Sequence, residues 1–196
     1  IDHILCQHLL ALKTAARAMN DAGLPLQQKR PQMGVVIGMD FDVEANDYHF
    51  RWNLCNQAEQ WNRRHSLNIP ATEMADWIEK LKAACSPPLI SSRVLGALGG
   101  IMASRIAKQF RFGGPSYVVS CDAASGLRAL ETGVRSLQRC ETDAFLVGAV
   151  DLPGDVRRVI LDDQRCSYSR SGAVRPFDGR ADGSLPGEGA VALVLK

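Results

Sequence analysis

Ser120-Cys121-Asp122-Ala123-Ala124-Ser125-Gly126 is a run of small residues between a β-favouring pair, Val118-Val119, and a helical stretch over 127–137. A strand that turns sharply into a helix can display a nucleophile. The helix N-terminus offers unpaired N–H groups and the positive end of its dipole, which lowers a thiol pKa. On bare chemistry the candidates are Cys121 and Ser125. The carboxylates of Asp178 and Asp182 are close enough to suggest an acid–base pair. Their turn-rich surroundings favour capping through Asx hydrogen bonds instead.

Other reactive residues are scattered. Cys6, Cys55, Cys85, Cys121, Cys140 and Cys166 stand singly, with no C-x-x-C pair and no histidine at metal-ligand spacing. Isolated reduced thiols in a cytoplasmic protein are the expectation, with no metal and no cofactor. His3, His8, His49 and His65 lie far in sequence from the glycine-rich turns and read as surface or packing residues. With 196 residues, 46% apolar and 22% charged, the chain has the composition of an ordinary globular domain, or of part of a larger one. A formal charge of +2 gives no electrostatic reason to expect nucleic acid as the main partner. No apolar run reaches the roughly 18 residues of a membrane span. The start, Ile1-Asp2-His3-Ile4, falls within a helical pattern and suggests a piece of something longer.

The elements that must position these residues follow from periodicity. Leu5, Leu9, Leu12, Ala16 and Met19 recur at 3–4 spacing and predict an amphipathic helix over 3–22, stopped by Gly23 and Pro25. Met33-Gly34-Val35-Val36-Ile37-Gly38-Met39 is a continuous apolar run, as expected of a strand covered on both faces. Residues 40–70, with Tyr48, Phe50, Trp52 and Trp61 among charges, read as an irregular, partly helical surface excursion, extending over about 40–90. A helix is expected over 72–85, with Thr72 as N-cap and Pro87-Pro88 as its stop. A second helix, over 92–109, is rich in small residues (Gly96, Ala97, Gly99, Gly100, Ala103, Ala107). It must be favoured by packing, because each glycine costs about 1 kcal/mol on an exposed helix. Buried strands are expected over 145–150 and 190–195. Helices alternating with such strands give an α/β layered fold with a mixed sheet.

Gly114-Pro115-Ser116-Tyr117-Val118-Val119, the small-residue turn, and Gly126-Leu127-Arg128-Ala129-Leu130 together resemble the active-site region of β-ketoacyl synthases. That pattern is G-P-S-Y-T-V-D-T-A-C-S-S-S-L, and it aligns without a gap. Arg175-Pro176-Phe177-Asp178-Gly179-Arg180-Ala181-Asp182-Gly183 and Gly187-Glu188-Gly189-Ala190 resemble the family's second glycine-rich signature. Leu98-Gly99-Gly100-Ile101-Met102-Ala103-Ser104-Arg105-Ile106 is similar to the helix before its nucleophile strand. The resemblance covers nearly the whole chain. It implies a thiolase-like layered fold, of which residues 1–196 would be the N-terminal half without its first strand. The family's catalytic histidines would fall in the other half. Pro115, Ser116, Tyr117, Val118, Val119 and Ser120 would lie at a dimer interface. Phe177, Asp178, Asp182, Gly183, Gly187 and Gly189 would fix backbone near the active-site floor.

The departure from the pattern matters more than the match. The nucleophilic cysteine of the family falls on Ala123, whose methyl group cannot form a thioester. Cys121 sits two residues early, so its sulfur points elsewhere. A single cysteine replacement would leave the neighbouring residues intact, but Ser120-Cys121-Asp122 and Gly126 also differ. Loading-type ketosynthases carry Gln at this position, and Ala123 lacks that amide. The degenerate turn, with Gly148-Ala149-Val150-Asp151-Leu152 and Val174-Arg175-Pro176-Phe177, resembles chain-length factors. Val36-Ile37-Gly38-Met39-Asp40-Phe41-Asp42 and Phe50-Arg51-Trp52 are similar to chain-length-factor domains of polyunsaturated fatty acid synthases and iterative polyketide synthases. The resemblance implies a non-condensing domain that pairs with an active ketosynthase, as heterodimer or pseudo-dimer, and meets an acyl carrier protein bearing acyl or malonyl thioesters. Two alternatives stand beside it: a true ketosynthase whose cysteine was removed by engineering, or one using Cys121; and a carrier-protein-binding module.

Overall fold

The computed structural model describes residues 4–40, 46–88 and 90–196; His3, Phe41 and Asp42 lie outside them. In chain order the elements are α1 (Cys6–Asp21), β1 (Met33–Met39), α2 (Asn46–Arg64), α3 (Ala71–Cys85), α4 (Ser91–Ala97), α5 (Ile101–Phe110), β2 (Ser116–Val119), α6 (Ser125–Gln138), β3 (Ala144–Asp151), α7 (Val156–Arg165) and β4 (Gly189–Leu195). The unbroken apolar run of β1 is buried at every position. Its place in the sheet explains this. The order is β2-β1-β3-β4, with β1 parallel to both neighbours and β4 antiparallel to β3. This is the mixed, helix-covered sheet that the sequence predicts.

Helices cover both faces. On one, Ala11, Ala15 and Met19 of α1 and Met102, Ala103 and Ile106 of α5 pack on Val35, Ile37 and Leu146. On the other, Ala129 of α6 packs on Val36, Phe145 and Val147. Alternation along each strand sends successive side chains to these two layers.

Several sequence expectations need correction. The deepest line of α1 is Gln7, His8, Ala11, Ala15 and Met19, one step round from the predicted stripe. The two alanines let the helix axis approach the sheet closely, and Leu10, Leu12 and Ala16 flank the contact. The small-residue helix expected over 92–109 is two helices, α4 and α5, interrupted at Leu98-Gly99-Gly100. Consecutive glycines weaken a helix there, and a Cβ on Gly99 would lie 3.0 Å from Met39 Sδ. Residues 46–64 form one regular helix, a larger helical share of this segment than the partly helical reading expected. Thr72 lies inside α3, whose N-cap is Pro70. The helix α7 has no counterpart among the sequence expectations.

The chain divides into two compact units, one of residues 1–4 and 42–97, the other of 5–41 and 98–196. In the first, α2 packs with α3 and buries Leu54 and Ala58. Arg51 Nη1 donates to the Lys82 and Ser86 carbonyls, the latter at 2.6 Å, and so satisfies the last turn of α3. Asn62 exchanges two hydrogen bonds of 3.0 Å with the Ile69 backbone, closing the α2–α3 loop. The second unit holds the whole sheet. There α1 ends as predicted, with Gly23 at φ +67° and Leu24 N–H donating to the Met19 carbonyl at 2.9 Å.

Candidate functional site

The small-residue turn leaves the C-terminal end of β2 and enters α6 across the C-terminal end of β1. Gly38 makes the approach possible. A Cβ there would meet the Ser125 carbonyl and lie 2.7 Å from Gly126 N. Asp122 takes the left-handed conformation at φ +46°. Ser125 holds the turn shut. Its Oγ accepts from Cys121 N–H at 2.8 Å and donates to the Asp122 carbonyl at 2.6 Å. The side chain is 5% exposed and both hydrogen-bonding functions are engaged. Ser125 is therefore a structural lock in this turn, its hydroxyl proton directed to a backbone carbonyl.

Ala123 is exposed and lines two clefts of the second unit. The first, of about 410 Å³, is bordered by Gly38, Met39, Asp40, Asp122, Ser125, Gly126, Ala149, Val150, Asp151, Gly189, Ala190 and Val191. Its wall is largely small and apolar. The second, of about 340 Å³, is charged and includes Asp40, Asp122, Asp151, Arg158, Asp162, Arg165 and Tyr168. Cys121 is exposed, borders neither cleft, and lies beside the Arg128 guanidinium. No histidine borders either cleft among the described residues.

The charged cleft was not found by sequence reasoning. The register pairs Met39 with Val150, so Asp40 and Asp151, each ending an apolar strand, become neighbours. The signal was present: two buried strands that both terminate in Asp must place those acids together if the strands are parallel and in step. Arg158 of α7 answers them. Its Nη2 lies 2.7 Å from Asp40 Oδ2 and its Nε 2.6 Å from Asp162 Oδ2, with only 8% of the side chain exposed. Removal from water, opposed by Arg158 and reinforced by Asp40 and Asp162, pushes the Asp151 carboxyl above its ordinary range. Arg165 Nη2 reaches Asp122 Oδ2 at 3.1 Å and ties α7 to the turn.

Of the glycine-rich signature, Gly189 and Ala190 reach the apolar cleft, opposite Asp151 and Val150 on β3. Phe177 is fully exposed at φ +61° and borders neither cleft. Asp178 Oδ1 accepts from Arg180 N–H at 2.9 Å, an Asx turn. Asp182 accepts from Ser169 Oγ at 2.7 Å and from Ser171 N–H at 2.9 Å, which hold its carboxyl down at about 2. Gly183, at φ +140°, packs against the Ser167 carbonyl and the Ser169 amide. A Cβ on Gly187 would meet nothing within 4 Å, so no close approach requires a glycine there. The residues Pro115, Ser116, Tyr117, Val118, Val119 and Ser120 carry β2, which is an edge strand. His8 is buried, whereas His49 and His65 are exposed. The six cysteines are unpaired, and no metal-binding cluster occurs among the described residues. No helix among those residues is long and apolar enough to cross a membrane.

The family pattern for the β-ketoacyl synthase N-terminal domain matches residues 3–196. The chain is 30% identical over 196 residues to a polyunsaturated fatty acid synthase polypeptide of Thraustochytrium sp., covering all of this chain and 9% of that protein. It is 36% identical over 191 residues to a highly reducing polyketide synthase of Cordyceps militaris, covering 97% of this chain and 6% of the relative. Among solved structures, the PfaC keto synthase–chain length factor superposes with a TM-score of 0.82 at 26% identity, over 99% of this chain and 20% of that one. A β-ketoacyl synthase from Burkholderia phymatum superposes at 0.70 with 19% identity, over 98% of this chain and 42% of that one. The chain thus spans less than a tenth of the length of these two synthase relatives.

Proposed function

The chain belongs to the β-ketoacyl synthase family, and from that premise we propose that it is a chain-length-factor-type domain of a fatty acid or polyketide synthase. In this reading it does not condense acyl units. It pairs with an active ketosynthase and lends side chains to a shared acyl tunnel. The observation that carries the reading is Ala123. It occupies the open position of the strand-to-helix turn, where a cysteine would take an acyl group as a thioester and where a methyl group has no lone pair to offer. The engagement of the Ser125 hydroxyl supports the same reading by removing the neighbouring candidate.

The likeness to a keto synthase–chain length factor supports a ketosynthase partner, and the free edge of β2 offers backbone groups for that pairing. The small apolar cleft beside Ala123 suits an alkyl chain better than a charged substrate. An acyl carrier protein bearing acyl or malonyl thioesters would be the second partner, and the cytoplasm the compartment.

Intact-protein mass spectrometry tests this on the longer native domain. It would be incubated with acyl thioesters in the presence and absence of its neighbouring ketosynthase. Loading confined to the neighbour is the expected result. A stoichiometric adduct on Cys121 or Ser125 would make the domain a catalyst and end the non-condensing reading.

A further inference from the structure

Helix α7 is held in place differently from its neighbours. Helices α1 and α5 grip the sheet through apolar side chains such as Ala15, Met19, Met102 and Ile106, and α6 does so through Ala129. The residue that α7 buries is Arg158. Among the described residues, none of α7 belongs to either apolar cluster, and Val156, Ile160 and Leu161 are exposed. A helix that buries no apolar side chain gains little from the hydrophobic effect, so charge must supply the hold. Two ion pairs cross from α7 to the strand ends. Arg158 Nη2 reaches Asp40 Oδ2 just past β1 at 2.7 Å, and Arg165 Nη2 reaches Asp122 Oδ2 in the turn at 3.1 Å. The charged cleft of about 340 Å³ is lined from both sides, by Asp40, Asp122 and Ala123 of the sheet layer and by Arg158, Asp162 and Arg165 of α7. The helix is therefore one wall of that cleft.

Both ends of α7 are pinned elsewhere. Just before the helix, Gly154 N–H donates to Glu188 Oε1 at 2.8 Å, and a Cβ on Gly154 would collide with that carboxylate. Just after it, Ser184 N–H donates to the Ser167 carbonyl at 3.3 Å and Ser169 N–H to the Ser184 carbonyl at 2.7 Å. Both pins sit within residues 184–188, the segment that leads into β4. A helix fixed at its two ends and latched along its side can turn about the line between those ends as one body. Turning strands no charge in apolar surroundings. Arg158 Nε also bonds Asp162 Oδ2 at 2.6 Å, four residues on in the same helix, so the guanidinium keeps a counter-charge when it leaves Asp40. Asp40 and Asp122 border the cleft and are solvated as it widens. The two pairs are also unequal. Arg158 and Asp40 are 8% and 15% exposed, Arg165 and Asp122 54% and 68%, so salt weakens the outer pair first.

We propose that α7 is an electrostatically latched wall: it swings away from β1 and the 120–126 turn when its links to Asp40 and Asp122 part, and so widens the charged cleft beside Ala123. The proposal stands whether or not Ala123 prevents condensation. Its test is amide hydrogen exchange of the full-length native protein, read by mass spectrometry at about 50 mM and about 500 mM salt and across sub-denaturing urea. Amides of α7 are expected to exchange roughly tenfold faster than those of α6 and to speed up about threefold at the higher salt. They should stay flat in urea, because local opening exposes little surface, while the α6 amides climb. Asp40→Asn is expected to raise α7 exchange about fivefold and Arg165→Gln about twofold, with circular dichroism unchanged. Arg165→Gln touches an exposed pair and keeps the test readable if Asp40→Asn fails to fold. Exchange of α7 in step with α6 across urea would show that α7 leaves only when the surrounding unit unfolds, and would overturn the proposal. So would fast α7 exchange that ignores salt and both variants, the signature of a frayed helix with no latch.

Discussion

Ser125 shows how a residue with reactive chemistry can be committed to structure. Its hydroxyl bridges Cys121 N–H and the Asp122 carbonyl in a 5%-exposed position. Ser125→Ala strands both groups, and the expected loss is about 1–3 kcal/mol in urea unfolding, with acyl loading of the proposed ketosynthase partner unchanged at saturating thioester. His8 is a second buried polar residue with a measurable signature. Burial, and then the Arg105 charge, lower its pKa to about 4. Arg105 Nη1 lies 3.3 Å from His8 Nδ1. The unfolded chain binds a proton near pH 6.5 while the folded chain stays neutral until about 4. Stability is therefore fully present above pH 6.5 and is lost as pH falls from 6.5 towards 4, by at most roughly 3 kcal/mol. Thermal unfolding across pH 4–7 should show this decline in the parent and a flatter profile in His8→Gln.

The helix α7 decides the environment of the strand ends. It starts on Asp155, whose carboxylate accepts from Arg157 N–H at 2.8 Å. Its inward residue, Arg158, sits between Asp40 and Asp162, with Asp151 close by. Deleting a buried partner leaves its counter-charges exposed to one another in a medium that solvates them poorly. Arg158→Ala is expected to destabilise the protein by about 3 kcal/mol at pH 7. The carboxyls left behind gain raised folded pKa values, so the penalty is present above those values and shrinks as they protonate. Guanidinium unfolding of the variant at pH 7 and pH 5 checks both statements; an equal loss at the two values would show that Arg158 acts through packing alone.

At the scale of the whole molecule, the sheet offers two different edges. One is the antiparallel β4 and the other the short, parallel β2. Pro115 directs its carbonyl to Val35 N–H at 2.8 Å, so the backbone of Ser116 faces away from β1. If β2 pairs with a partner protein, as proposed, Ser116→Pro removes a donor at that free edge without touching the β1 ladder. Native mass spectrometry is expected to show at least a tenfold weaker dimer for this variant, with circular dichroism unchanged. A dimer of undiminished affinity would place the interface elsewhere.

The elements near the site were legible because their signals are local. An unbroken apolar run announces β1, Gly23 stops α1, and the motif order on both sides of Ala123 points to the family that the comparisons show. The charged cleft was not legible in the same way. Asp40, Asp151, Arg158 and Asp162 are scattered over more than a hundred residues, and only parallel pairing in a particular register makes them neighbours. Local spacing encodes periodicity, caps and motifs. Burial, counter-charges and the commitment of the Ser125 hydroxyl depend on which distant segments pack together, and tertiary structure alone decided those.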